Sequence, residues 1–150
     1  MLAQNDPHPV TEGIVVVDPL IRRSILFVVY YATKDEPNYG IMMRRVKEIQ
    51  DMLEKKYNKT LGYTFQDEHI YHIWDNTLLE DLEILDLEGL IDNEDHGFQE
   101  IIYTHSLHHV TRTGKFLLKK SIKPLLEEYQ IGLYEDIVTA VENMTEEKEE

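Results

Sequence analysis

Apolar residues recur at helical spacing along most of this chain and alternate in only a few places, which predicts a mainly α-helical protein. Leu20, Ile25, Val28 and Val29 face inward on a helix running from Pro19 to about Thr33. Asp18-Pro19 opens it, a capping carboxylate followed by proline at the first helical position. Asp35-Glu36-Pro37-Asn38 is a loop, and Tyr39-Gly40 starts a second helix with Ile41, Met42, Val46, Ile49, Met52 and Leu53 on one side. Thr60-Leu61-Gly62 reads as a turn and Gln66 to Asp75 as a further helix, with Ile70, Ile73 and Trp74 apolar. That helix either continues into the next or breaks at Asp75-Asn76, where either residue can cap a new start. Leu78, Leu82 and Leu85 then share one face of a helix beginning at Thr77, and Gly89 stops it by taking a left-handed conformation without a Cβ clash.

Beyond Gly89 the pattern changes. Leu90 to Asp92 is a short strand, Asn93 to Gly97 a turn, and Phe98 to Val110 a second strand. Thr111 caps RTGKFLLKK, whose Phe116, Leu117 and Leu118 are expected to be buried. Pro124 starts a last helix. Leu126, Tyr129, Leu133, Ile137, Ala140 and Met144 form a heptad-like seam along it, expected to serve as a homodimer interface. At the other end, Pro7 and Pro9 leave residues 1–12 as a flexible N-terminus, and Ile14 to Val17 is a strand or an arm laid on the body.

Charge sharpens the picture. The chain has 150 residues and a formal net charge of −14, which favours solubility and repels nucleic acid at long range. From Thr60 to Thr111 there are twelve acids and no Lys or Arg, where about five bases would be expected at the chain's average frequency. Asn38 to Lys59 holds six bases against three acids, and Arg112 to Lys123 holds five bases and none. An acidic tail closes the sequence. Cysteine is absent, no apolar run reaches membrane-spanning length, and the first residues lack a basic-then-apolar leader. The expectation is a cytoplasmic protein without a membrane partner.

Three stretches carry a resemblance. TLLEDLEILDLEGLI looks like the end of a recognition helix; HHVTRTGKFLL looks like the end of a wing running into the next helix; NYGIMMRRV looks like the Tyr-Gly opening of a second helix. Taken in chain order, NYGIMMRRV first, then TLLEDLEILDLEGLI and HHVTRTGKFLL, they resemble the winged helix-turn-helix transcription regulators of the PadR-like and MarR-like kind. The resemblance implies a mainly α fold with a small β-hairpin wing and a C-terminal dimerisation helix. It divides the chain into a flexible 1–12, a winged-helix domain at 13–122, a dimerisation helix at 123–145 and an acidic tail at 146–150. It also implies a homodimer that places one helix in the major groove of double-stranded DNA. Two features depart from the pattern. The stretch between Lys59 and Asn76 is long, and the segment that would carry recognition helix and wing has no base.

Phosphate contacts need Lys or Arg, so a DNA-binding reading rests on Arg44, Arg45, Lys47, Lys55, Lys56, Lys59, Arg112 and Lys115. The alternative is an acidic winged-helix interaction module that docks a basic protein partner and does not bind DNA. The basic side of the second helix is equally well a solvated face balanced by Glu48, Asp51 and Glu54. His69 and His72, with His105, His108 and His109, lack the partner set of a zinc site, so no metal or cofactor is expected. Tyr63, Tyr71, Trp74 and Tyr103 are expected in the core or at a subunit interface rather than around a small effector. With no Gly-rich phosphate loop and no nucleophile beside a base, catalysis is not expected.

Overall fold

A computed structural model of the chain describes residues 13–33, 39–68, 72–91 and 110–149. In chain order these form β1 (Val15–Val16), α1 (Pro19–Ala32), α2 (Tyr39–Tyr57), β2 (Lys59–Thr60), β3 (Gln66–Glu68), β4 (His72–Trp74) and α3 (Asn76–Leu87). There follow α4 (Arg112–Leu117), a π-helical turn (Leu118–Ile122), α5 (Lys123–Tyr129) and α6 (Leu133–Glu149). The architecture is mainly helical, with two small two-stranded sheets.

Helix α1 lies at the centre. Its start is local chemistry: the Asp18 carboxylate accepts the Ile21 N–H at 2.9 Å, and Pro19 takes the first turn, where no donor is missed. Every residue from Ser24 to Tyr30 is buried, so this stretch has no solvent face, as expected of a helix apolar all round. Helices α2, α3, α5 and α6 pack around it. Leu20, expected inside, is 58% exposed near the start of the helix.

Helix α2 ends at Asn58, which takes a left-handed φ of 58°. The chain then turns back so that β2 pairs in parallel with β1, Val15 opposite Lys59 and Val16 opposite Thr60. The Val-rich run is therefore a strand. Thr60 belongs to a strand as well, and the turn after it rests on Gly62 at φ 88°.

Where a helix is expected over Gln66 to Asp75, β3 and β4 pair antiparallel, with Gln66 opposite Trp74 and Glu68 opposite His72, and residues 69–71, Ile70 among them, lie outside the described residues. Ile70, Ile73 and Trp74 fit a helical stripe, but the segment suits a pleated surface too, and Asp75 decides between them. Asp75 sits in an extended conformation (φ −146°, ψ 124°) and its carboxylate caps α3, accepting Leu78 N–H at 2.8 Å and Thr64 N–H at 2.7 Å. One side chain thus starts α3 and ties the hairpin's approach to it, which forbids a continuous helix through Asp75.

Helix α3 stops at Gly89 (φ 81°) in a Schellman arrangement: Leu90 N–H reaches Leu85 O and Gly89 N–H reaches Asp86 O, both at 3.0 Å. Ile91 then pairs antiparallel with Val110. Residues 92–109 lie outside the described residues, and with them the turn and most of the second strand of the expected wing. The cap at Thr111 forms as expected, its hydroxyl accepting Gly114 N–H at 2.9 Å. Gly114 brings α4 so close to the chain that a Cβ there would meet the Leu90 carbonyl oxygen at 2.4 Å. Phe116, expected to be buried, is 61% exposed.

The single C-terminal helix expected from Pro124 is two helices. Gln130 to Gly132 interrupts it, with Gly132 at φ 84°, and the Glu127 carboxylate accepts the N–H groups of Gly132 and Tyr134 at 3.2 Å, capping α6. The break redirects the apolar seam. Leu126, Leu133 and Ile137 are buried within this one chain, and Tyr129, Ala140 and Met144 pack partly buried against the same core. Helix α6 lies along α1 and α2, and the expected boundary at 122/123 falls inside the helical run from Arg112 to Tyr129.

Candidate interaction surface

Helix α3 has two unlike faces. Leu78, Asp81, Leu82 and Leu85 are buried, at the spacing of one helical stripe. Outward, Glu80, Leu87 and Glu88 are exposed and Glu83 and Asp86 half-buried. Leu87 is 84% exposed, an apolar side chain surrounded in sequence by carboxylates. No Lys or Arg occurs from Thr60 to Thr111 to offset them.

Asp81 is the acid that composition alone misplaces. It is 2% exposed and lies at the centre of a charged cluster. Arg22 donates through Nε to Oδ2 at 2.7 Å and through Nη2 to Oδ1 at 3.1 Å, and the Tyr63 hydroxyl donates to Oδ2 at 2.6 Å. Arg23 Nη1 stands 4.0 Å from Oδ1, and the Arg22 guanidinium lies 5.6 Å from the centre of the Tyr63 ring. The hydrogen bond to Asp81 holds the Arg22 guanidinium above its ordinary value, and burial pushes the Tyr63 phenol up, helped by the carboxylate it bonds. The signal was present in the sequence, because position 81 falls in phase with Leu78, Leu82 and Leu85. An aspartate on an apolar stripe requires a partner.

The eight bases proposed for phosphate contacts do not share one environment. Arg45 is 5% exposed, so it is part of the interior of α2 and not a surface cation; it lies in phase with Met42 and Ile49. Lys47 pairs with Asp51 at 3.3 Å. Lys56 pairs with Asp136 of α6 at 2.9 Å, and the Tyr57 hydroxyl donates to the same carboxylate. Lys59 Nζ lies 5.5 Å from the centre of the Tyr129 ring. Arg44 and Lys55 are exposed on α2, and Arg112 and Lys115 on α4. Sequence reasoning left out Lys119, Lys120 and Lys123, which are also exposed and extend the basic run through the π turn into α5.

Tyr63 and Trp74 are buried core aromatics, and Trp74 Nε1 donates to Asn76 Oδ1 at 2.8 Å, while Tyr71 and Tyr103 lie outside the described residues. His72 stands in β4, while His69, His105, His108 and His109 lie outside the described residues. Among the described residues, no group of three His, Asp or Glu is arranged to hold a metal, and no helix is long and apolar enough to cross a membrane. No protein-family model, curated protein sequence or solved structure matches this chain.

Proposed function

We propose that the protein is an acidic winged-helix-like interaction module that binds a basic protein partner through the outward face of α3. The observation that carries this reading is the exposed Leu87 set among Glu80, Glu83, Asp86 and Glu88 on a helix without a base. An apolar anchor within a field of one charge suits a partner helix or loop that offers an apolar pocket and lysines or arginines. The same face inserted into a DNA groove would meet phosphate repulsion. The element order supports the winged-helix reading. Three helices precede the Ile91–Val110 pairing, which joins the two ends of the 92–109 segment, and α4 follows.

The test is binding of basic amphipathic peptides and of random duplex DNA to the full chain across a salt series. Peptide binding that is lost in Glu80→Lys with Glu83→Lys, alongside no duplex binding near ~50 mM salt, is the expected result. Duplex binding that falls steeply with salt and survives the charge reversal overturns it.

One observation favours a second reading, a DNA-binding regulator. Arg112, Lys115, Lys119, Lys120 and Lys123 are all exposed within one helical run. On that reading phosphates are met by this run and not by α3, and Arg112→Ala with Lys115→Ala lowers the salt slope of duplex binding by about two.

A further inference from the structure

A cavity of about 150 Å³ opens between α1, the C-terminal end of α3 and the π turn. Phe27, Leu85, Leu90 and Ile122 are among the apolar side chains lining it, and Leu20, itself 58% exposed, joins them, so the space communicates with solvent. An apolar space of this size takes a body about as large as benzene. Its form depends on two local devices already described. The Schellman turn holds Leu85 and Leu90 together, and the π turn, a type of helical widening frequent at functional sites, presents Ser121 and Ile122.

Two opposite charges line this same space without pairing to each other. Arg23 comes from α1 and Glu88 from the end of α3. Arg23 is the lesser partner of Asp81, at 4.0 Å, because Arg22 already donates to both Asp81 oxygens. Its planar fork therefore keeps donors for another carboxylate. Glu88 is in no ion pair among the described residues. It also stands at a helix C-terminus, where the helix dipole adds to the attraction for a cation. From this juxtaposition of an apolar cavity, an under-used guanidinium and an unpaired carboxylate we infer that the cleft binds a free aliphatic amino acid of about leucine size. The side chain fills the cavity, the carboxylate meets Arg23 and the ammonium meets Glu88. The site shares Glu88 with the outward face of α3 but none of Glu80, Glu83 or Leu87, and its occupant would bridge α1 to the end of α3.

Calorimetric titration of the full chain with L-leucine, N-acetyl-L-leucine and L-leucinamide tests the inference. L-leucine is expected to bind with a Kd below about 1 mM, and each analogue, lacking one charge, at least about tenfold more weakly. Glu88→Gln is expected to abolish the preference over N-acetyl-L-leucine, and Arg23→Gln the preference over L-leucinamide. Because Arg23 also approaches Asp81, Ser121→Phe serves as a second variant: residue 121 is exposed, and the larger ring fills the space. Loss of binding in Ser121→Phe with an unchanged thermal melt supports the site. No binding of L-leucine to the wild-type chain at about 10 mM overturns it, as does equal binding of the three ligands or binding unaltered by Ser121→Phe.

Discussion

Asp81 and Asp136 are held by the same kinds of group, base and tyrosine, yet they do different work. Asp81 receives both arms of the Arg22 fork and the Tyr63 hydroxyl, and it is 2% exposed. Asp136 receives Lys56 and Tyr57, neighbours on α2, and its side chain keeps 27% of its surface in water. The first cluster joins α1, the chain before the hairpin and α3; the second fastens α6 to the end of α2. Burial makes the difference. An enclosed carboxylate depends on its partners for what water would otherwise supply, while a half-open one can exchange them for solvent.

Burying acids where no such cluster is built carries the largest expected effect. Leu133→Asp with Ile137→Asp places carboxylates at positions 1% and 0% exposed, and the chain is expected to unfold, read by loss of the far-ultraviolet helical signal. Next comes Asp81→Ala, which leaves Arg22 and Arg23 beside an emptied site. A loss of about 3 kcal/mol in denaturant unfolding is expected, and Arg22→Met with Asp81→Leu is expected to recover most of it. A loss under about 1 kcal/mol in the single variant would show that water already reaches the cluster. Tyr63→Phe removes one of the donors to Asp81 and is expected to cost about 1 kcal/mol by the same measurement.

Asp136→Asn is expected to cost less than about 1 kcal/mol, and less still in high salt, whereas the Asp81 effect is expected to persist there. The pH dependence follows from the sign of the shift. The Lys56 hydrogen bond, and after it that of Tyr57, holds the Asp136 carboxyl below its ordinary value of 3.8. Its contribution is therefore complete above the unfolded-state value and is lost as pH falls through the folded one. Unfolding followed from pH 6 to pH 2 is expected to show a smaller acid loss in Asp136→Asn than in the wild-type chain.

Much of the fold was legible because its causes are local. The caps at Asp18 and Thr111 and the stop at Gly89 each act within a few residues, and each forms where the sequence predicts. Asp81 and Arg45 are legible in phase, since both fall on apolar stripes, whereas the phosphate-contact reading sends Arg45 to the surface. The hairpin over 66–74 was not legible, because its apolar positions fit either period and Asp75's bond to Thr64 is what selects the extended form. The candidate surface on α3 was read correctly in its charge. The exposure of Leu87 and the removal of Asp81 from that face needed the packed structure.

Sequence alone was enough for the caps at Asp18 and Thr111, the stop at Gly89 and the apolar stripe of α3, since hydrogen bonds within one turn and a 3.6-residue period require nothing distant. The absence of Lys and Arg from Thr60 to Thr111 is likewise a fact of the sequence. Tertiary structure alone decided what each apolar side packs against. The seam through Leu126, Leu133 and Ile137 has the spacing of a subunit interface, and only the break at Gly132 and the approach of α1 and α2 place those residues inside a single chain. Asp81 meets Arg22 across 59 residues of sequence. No local rule reaches that far, and a buried charge is explained only by the partner that the fold brings to it.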